Sequence, residues 1–174
     1  TELFKKNQFA KVLETAAPII DQNPNDINIL NIFGAAAAIT GQFQLAESSL
    51  KRALTIDATH AELNNNLGNV LFRQAKYAES IKHFEQAIKS QPENGSFYNG
   101  LGSALLFMDR IKDSEQVFKT SLDLEPKNPD THYNIGAVFW EKGFTKDAQN
   151  YCLTALSINP RHEEAKVMMI RTFE

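Results

Sequence analysis

The sequence has one cysteine, one tryptophan and no long apolar run among its 174 residues. A single cysteine, Cys152, excludes an intramolecular disulfide and is compatible with a reducing compartment. Because no stretch approaches the about 18–20 consecutive apolar residues of a membrane span, the sequence predicts no membrane insertion. It also lacks an excess of positive charge, since 18 Lys and Arg stand against 21 Asp and Glu. This balance argues against a nucleic-acid partner, which binds mainly to residues that neutralise its phosphates.

The composition is that of an ordinary globular protein, with 43% hydrophobic and 22% charged residues. Enough apolar surface is available to offset the entropy of the chain, so disorder is not expected. The chain begins at Thr1 without an initiator methionine, and we expect it to be part of a longer protein. A cytoplasmic location is the favoured prediction.

Four sets of residues recur at intervals of 34. The glycines are Gly34, Gly68, Gly102 and Gly136, and each follows an apolar residue. The prolines are Pro24, Pro92, Pro126 and Pro160, with Ala58 at the one missing place. The other two sets are Ala53, Ala87, Ser121 and Ala155, and Leu50, Phe84, Phe118 and Cys152. Because all four sets stay in register without insertion or deletion, the chain is an array of repeats.

Each repeat is predicted to contain two helices joined by a turn. In the first full repeat the apolar residues of the first helix recur at helical spacing, and Gly41 marks the turn that follows. The recurring proline ends the second helix, and Asn25-Asp26 and Asn128-Pro129 supply caps for the next helix. The small residue at Gly68 lets the two helices approach closely, and a large residue there would separate them.

These residues resemble the tetratricopeptide repeat, whose signature is a Leu-Gly pair, an aromatic, a small residue, an aromatic, an alanine and a proline. The copy that matches best is Leu67-Gly68, Tyr77, Ser80, Phe84, Ala87 and Pro92. The resemblance, which includes bacterial proteins of this kind, covers the whole chain as a single array over 1–174. It comprises a partial repeat 1–26, full repeats 27–60, 61–94, 95–128 and 129–162, and a capping or next-repeat helix 163–174. The resemblance implies an all-α fold, a right-handed α-solenoid (superhelix) of tandem 34-residue helix-turn-helix units.

Several positions depart from the family pattern. Asn64 and His132 stand where the family places a large apolar residue, so looser packing is expected there. Phe144 comes one residue before the place of the aromatic. Pro18 falls inside a predicted helix and should kink it. Ile170 replaces the recurring glycine, which suits a capping helix that has no second helix.

The resemblance implies that the first helix of each repeat lines the concave side of the array. Positions 2, 5, 9 and 12 of that helix share one face, with positions 6 and 13 beside them. Asparagines at position 5 predict a ladder of amides, which can pair with any peptide backbone, and apolar residues add anchors. The predicted peptide-binding residues are Asn31, Asn65, Asn66, Asn69, Phe72, Asn99, Leu106, Tyr133, Asn134 and Trp140. A purely structural use of the asparagines and aromatics stays open.

Two known grooves offer a finer comparison. The repeat arm of O-GlcNAc transferase is similar in using inward asparagines at position 6, which Asn66 and Asn134 match but Ile32 and Gly100 do not. Repeat domains that clamp the C-terminal carboxylate of heat-shock chaperones use Lys and Arg at positions 5 and 9. In the four full repeats those positions hold Asn31, Ala35, Asn65, Asn69, Asn99, Ser103, Tyr133 and Ala137. None is basic, so a chaperone carboxylate clamp is not expected.

The sequence shows no catalytic, cofactor or metal constellation. The histidines, which are His60, His83, His132 and His162, include no pair at the i, i+4 spacing of a helical zinc site. Cys152 occupies a core position of the repeat and is expected to be a buried hydrophobe. There is no phosphate-binding glycine loop and no nucleophile elbow. We therefore predict no enzyme, no cofactor and no metal.

The leading prediction is a protein-interaction module or scaffold that binds a peptide segment of a partner in its concave groove. One alternative is the substrate-recognition or spacer arm of a larger enzyme of the glycosyl- or sulfotransferase type. The other is an array that forms homo-oligomers through its ends, where apolar residues are expected to lack partners. Those residues are Leu3, Phe4, Met169 and Phe173.

Overall fold

The computed structural model describes residues 8–172, in which all regular secondary structure is helical. The chain divides into two compact units, residues 1–91 and residues 92–174. We call these the N-terminal unit and the C-terminal unit and describe each by itself. The predicted all-α class is confirmed.

The N-terminal unit contains five described helices. They are α1 (Phe9–Gln22), α2 (Ile27–Ile39), α3 (Phe43–Ile56), α4 (Ala61–Arg73) and α5 (Tyr77–Ser90). Its core is a continuous cluster of alanine, leucine and valine side chains from α2, α3 and α4, among which Leu30, Leu50 and Leu67 are fully buried. Pro18 lies within α1, which continues on both sides of it.

The C-terminal unit repeats the same succession. Its described helices are α6 (Gly95–Phe107), α7 (Ile111–Leu124), α8 (Pro129–Glu141), α9 (Thr145–Ile158) and α10 (Glu163–Arg171). Phe118, Ile135 and Val138 form one core cluster, and Cys152 packs with Ala155 and Ala165 in another. The helices of both units start at residues that differ by multiples of 34, as the period predicts.

The recurring glycines lie where the two helices of a repeat touch. A Cβ on Gly68 would be 2.8 Å from the ring of Phe84, and a Cβ on Gly34 would be 2.7 Å from Cγ of Leu50. These distances are shorter than a van der Waals contact, so the backbone of the first helix packs directly against a side chain of the second. The prediction of close approach at Gly68 is confirmed.

Polar side chains cap the first helix of each repeat. Asp26 accepts hydrogen bonds from the backbone nitrogens of Asn28 and Ile29, and Asn128 does the same for Asp130 and Thr131, as predicted. The equivalent residue before α4 is His60, and the one before α10 is His162. In each, Nδ1 accepts a hydrogen bond from the backbone nitrogen three residues later, at 3.4 Å and 3.2 Å respectively. A histidine thus serves as an N-cap at two of these sites.

The turn inside each full repeat contains one residue with a left-handed backbone. It is always the fifteenth residue of the repeat, and φ is 78° at Gly41 and Gly143. The same position holds Ala75 with φ 59° and Asp109 with φ 58°. Because a Cβ disfavours this conformation, these two turns are strained, and the flanking helices maintain them.

Two residues that depart from the family pattern, Asn64 and Phe144, have identifiable contacts in the structure. Asn64 is only 2% exposed, and its amide donates to the carbonyls of Ala58 and His60 and contacts Nδ1 of His83. A polar side chain therefore fills this apolar position because its hydrogen-bonding groups are satisfied. Phe144 directly precedes α9, and its ring meets Phe139 edge-on at 6.3 Å between centroids.

The predicted homo-oligomer depends on apolar residues at the ends of the array that lack partners within the chain. Met169 is half-buried and packs against the cluster of Cys152, Ala155 and Ala165, so it has partners within the C-terminal unit. Leu3, Phe4 and Phe173 lie outside the described residues. Ile170, where a glycine would recur, is 64% exposed on α10.

Candidate functional site

The ten predicted binding residues divide equally between the two units. Asn31, Asn65, Asn66, Asn69 and Phe72 lie on α2 and α4, in the N-terminal unit. Asn99, Leu106, Tyr133, Asn134 and Trp140 lie on α6 and α8, in the C-terminal unit. In each unit the residues come from the first helices of two consecutive repeats, as the periodicity of the sequence requires.

A hydrogen bond between two amides joins these helices in each unit. Asn66 Nδ2 donates to Asn31 Oδ1 at 2.8 Å, and Asn134 Nδ2 donates to Asn99 Oδ1 at 3.0 Å. Position 5 of one repeat therefore pairs with position 6 of the next, whereas the sequence suggested that the position-5 amides would form a ladder of their own. This pairing is the inter-helix role that the sequence left open as an alternative.

The pairing leaves polar atoms available to a ligand. A carboxamide has two N–H donors and one carbonyl acceptor, and the Asn31–Asn66 bond uses one donor and one acceptor. Among the described residues, Asn31 Nδ2 and Asn66 Oδ1 have no other hydrogen-bond partner. Each amide pair can therefore offer the Nδ2 group of one asparagine and the carbonyl oxygen of the other to a peptide backbone.

Asn65 and Asn69 are predicted site residues whose side chains are not used in the hydrogen bonds between helices. Asn65 is half-buried and Asn69 is exposed, one turn apart on α4. Neither side chain forms a hydrogen bond with any described residue. Phe72, the next residue on this face, is half-buried, and its ring lies 5.4 Å from that of Tyr77.

A cavity of about 360 Å³ gathers most of the predicted residues of the C-terminal unit. Leu106, Tyr133, Asn134 and Trp140 all line it. The remaining lining residues are Phe107, Asp109, Ile111, Ala137, Glu141, Met168 and Arg171. Four of the five residues predicted in this unit thus surround one concave space, which we call the α6–α8–α10 cavity.

The sequence reasoning missed several residues of this cavity, and two of them, Met168 and Arg171, follow directly from the repeat. Both lie on α10, which is the first helix of an incomplete repeat, and they occupy its positions 6 and 9. Positions 6 and 9 were already assigned to the groove face in the full repeats. Extending the same assignment to residues 163–174 would have found both side chains.

The α6–α8–α10 cavity combines exposed aromatic surface with charges of both signs. Phe107 is 62% exposed and Trp140 is 36% exposed. Asp109, Glu141 and Arg171 line the same space, and within the described chain none of the three forms an ion pair. Its surface can therefore bury an apolar side chain and still pair with charged groups beside it.

Tyr133 is held in this cavity by contacts with the start of α10. Its ring centroid lies 5.2 Å from that of His162, and Nε2 of His162 lies 3.1 Å from a carboxylate oxygen of Asp130. Burial raises the pKa of Tyr133, and the nearby Glu164 carboxylate raises it further. The hydroxyl therefore stays protonated at neutral pH and can donate a hydrogen bond.

The structure gives the groups considered for chemistry ordinary structural roles. Cys152 is fully buried, and burial raises the pKa of its thiol to about 11, which keeps it protonated. Over residues 8–172 no group of three or more His, Cys, Asp and Glu side chains could hold a metal ion. The same part of the chain contains no helix that is long and apolar enough to cross a membrane.

Two sequence models of the tetratricopeptide repeat match this chain, over residues 65–129 and 129–162. Together they cover more than half of it. The chain belongs to the tetratricopeptide repeat family. The resemblance inferred from the recurring glycines and prolines is thereby confirmed.

Solved structures of other tetratricopeptide repeat proteins share this fold. TTC0263 of Thermus thermophilus superposes with a TM-score of 0.83 at 15% identity, over 99% of this chain and 94% of that one. MamA gives a TM-score of 0.76 at 22% identity, over 95% of each chain. YrrB, described as a tetratricopeptide repeat protein with an unusual peptide-binding site, gives 0.71 at 17% identity, over 95% of this chain and 85% of its own.

A curated relative is also similar in sequence. The Hsp70-Hsp90 organizing protein 1 of Glycine max is 29% identical over 104 residues, which is 56% of this chain. The match spans 16% of the length of that protein.

Proposed function

We propose that this protein is an interaction module that binds a peptide segment of a partner protein on the first helices of its repeats. The observation that carries the proposal is the α6–α8–α10 cavity, which brings Leu106, Tyr133, Asn134 and Trp140 to one concave space. Aromatic side chains in such a space supply most of the binding energy of an interface. We expect a dissociation constant on the order of micromolar.

The proposed ligand is an extended segment whose backbone meets the paired amides. In the C-terminal unit Asn134 Nδ2 also donates to Oγ of Ser103, at 3.1 Å, which fixes the orientation of this amide. Its carbonyl oxygen and Nδ2 of Asn99 then have no further partner among the described residues. An oriented donor and acceptor beside an aromatic cavity suit a peptide group next to an anchor side chain.

The charged residues that line the cavity restrict the kinds of side chain that the proposed ligand should carry. Asp109 and Glu141 can pair with a basic residue, and Arg171 can pair with an acidic one. We therefore propose a segment that carries an apolar anchor with charges of both signs nearby. Paired charges at the edge of an interface contribute more to specificity than to affinity.

Two similar proteins support peptide or protein binding without defining the ligand. YrrB is described as having an unusual peptide-binding site, and the Glycine max relative is named for organizing Hsp70 and Hsp90. A chaperone carboxylate clamp is nevertheless not proposed here. The full repeats have no basic residue at positions 5 and 9, and Arg171 of α10 alone provides a single positive charge at position 9.

The chain contains its own reporter of binding, since Trp140 is its one tryptophan and lines the cavity. Peptides selected on the purified protein from a phage-displayed library would be titrated while its fluorescence is recorded. We expect the emission of Trp140 to shift on binding. We also expect Trp140→Phe with Asn134→Ala to weaken binding by about tenfold or more, measured by calorimetry because this variant contains no tryptophan.

The matched control is Leu153→Ala, a truncation of a side chain that is 52% exposed on α9 and lies outside the cavity. It should bind the selected peptides as the unchanged protein does. Peptides that bind without moving the fluorescence, and that bind the double variant equally well, would contradict the proposed site. A chaperone C-terminal peptide that binds tightly by calorimetry would show that a carboxylate clamp operates after all.

A further inference from the structure

The C-terminal unit contains a second concave space, on a different side of α8. A cavity of about 430 Å³ lies between α7, α8 and α9. Its apolar lining consists of Leu122, Ile135, Val138, Phe139 and Tyr151. The rings of Phe139 and Tyr151 are stacked on each other in this lining, with centroids 5.4 Å apart and planes 14° apart.

The two cavities are separate because they use different faces of α8. Successive residues of an α-helix are rotated by about 100°. Tyr133, Ala137 and Trp140 therefore share one face, and they line the α6–α8–α10 cavity. Ile135 and Val138 point in roughly the opposite direction and line the second cavity, which we call the α7–α9 groove.

Positive charge dominates the edge of the α7–α9 groove. Lys112 and Lys119 line it from α7, both are exposed, and neither forms an ion pair within the described chain. The one lining carboxylate, Glu115, is paired with Lys142. The two lysines therefore stand beside the apolar lining with their charges uncompensated, in a chain whose net charge is −3.

We propose that the α7–α9 groove is a second docking surface, which binds an acidic segment of a partner protein that carries apolar anchor residues. The anchors would cover the stacked rings of Phe139 and Tyr151, and the acidic residues would pair with Lys112 and Lys119. Complementary charge of this kind increases the rate of association and excludes basic partners. A protein with both surfaces can hold two segments at once, which is the property of a scaffold.

The test uses a fluorescein-labelled peptide of alternating glutamate and leucine pairs, and a second peptide in which lysine replaces every glutamate. We expect the acidic peptide to bind the unchanged chain by anisotropy and the basic one not to bind. Raising the salt from about 50 mM to about 500 mM should weaken the acidic complex, because the lysines are exposed and easily screened. Lys112→Glu with Lys119→Glu should lower the affinity by about tenfold or more.

The matched control is Lys82→Glu with Lys89→Glu, which makes the same change in net charge at two exposed lysines of α5. This variant should keep the affinity of the unchanged chain, and circular dichroism should show that both variants are folded. Equal binding of the two peptides, or equal loss in the two variants, would overturn the proposal. Binding of phosphatidylserine vesicles without binding of the acidic peptide would overturn it as well, since it would identify a lipid surface as the ligand.

Discussion

The ring of Phe118 occupies the space that a side chain at position 102 would need. A Cβ on Gly102 would lie 2.6 Å from Cε1 of Phe118, and two further ring atoms would lie within 3 Å. Phe118 is fully buried. The distance between α6 and α7 is therefore set by an aromatic ring that packs directly against the backbone of Gly102.

We predict that Gly102→Ala destabilises the protein. Alanine favours a helix over glycine by about 1 kcal/mol, but the displaced ring should cost more, for a net loss of about 1–2 kcal/mol. Urea unfolding followed by circular dichroism measures the change. The control is Gly136→Ala, where the nearest atoms, the Ala148 carbonyl oxygen and Cys152 Sγ, are 3.2 Å away. That variant should be near neutral, and equal losses at both positions would contradict the explanation.

The paired and unpaired asparagines should respond differently to truncation. Asn31→Ala and Asn66→Ala should each lower the free energy of unfolding by about 1 kcal/mol, and the double variant should lose less than the sum. Asn65→Ala with Asn69→Ala removes no hydrogen bond to a described residue, so the melting temperature should change little while affinity for a selected peptide falls. Unchanged affinity would remove Asn65 and Asn69 from the binding site.

Glu47 should make the stability depend on pH. The pKa of Glu47 is lowered from 4.5 to about 2, mainly because its carboxylate accepts a hydrogen bond from Lys51. Burial raises the pKa, but hydrogen bonds from Lys76 and Gln74 lower it further. A carboxylate with a lowered pKa stabilises the folded state above its unfolded pKa, and this contribution is lost as the pH falls from about 4.5 to about 2.

We predict that Glu47→Gln lowers the stability at pH 7 by about 1–2 kcal/mol, since the two lysines are partly exposed and solvent weakens the pairs. The difference from the unchanged chain should shrink between about pH 4.5 and about pH 2, as thermal unfolding over that range would show. Glu85→Gln, an exposed residue of α5, is the control. A difference that does not depend on pH would contradict this role.

The strained turn at Ala75 should tolerate glycine better than alanine. Its φ of 59° disfavours a Cβ, and glycine adopts this conformation without strain. Relief of this strain should outweigh the larger conformational entropy that glycine has in the unfolded chain. We therefore predict that Ala75→Gly raises the free energy of unfolding by about 0.5 kcal/mol. Ala78→Gly, in the first turn of α5, should instead destabilise. Both are measured by thermal unfolding, and a loss at both positions would show that the strain is relieved in another way.

Cys152 should react with thiol reagents only when the C-terminal unit opens. Its side chain is fully buried and burial raises its pKa to about 11, so little thiolate is present at pH 8. Reaction with Ellman's reagent should be slow in buffer and fast in urea. Fast reaction in buffer, with circular dichroism unchanged, would show that α9 exposes the thiol in the native state.

The sequence predicts the helices of this chain better than it predicts the contacts between repeats. The period of 34, the glycines and Asp26 and Asn128 as caps are local or periodic signals, and the structure places all of them as expected. The Asn31–Asn66 bond spans 35 residues and depends on how one helix rotates against the next, which the period does not specify.

The binding role of the ten predicted residues stays a prediction. What the structure adds is their grouping, since four of them share the α6–α8–α10 cavity with Arg171. The basic edge of the α7–α9 groove is not a feature of the repeat. Among the other full repeats, the position of Lys112 holds lysine only at Lys146 and the position of Lys119 only at Lys51, so no other full repeat carries both. A combination of residues that occurs in a single repeat cannot be predicted from the pattern that the repeats share.

Because the helix boundaries recur at intervals of 34 residues, a segment of this length can be removed from the chain without disturbing the order of the helices. A deletion of 34 residues rejoins residues of equivalent position wherever the cut is made, even in the middle of a helix. Removing 104–137, for example, would connect Ser103, at position 9, to Val138, at position 10, and would leave one continuous first helix. The number of helix pairs can thus change by one while every remaining residue keeps its neighbours in the repeat.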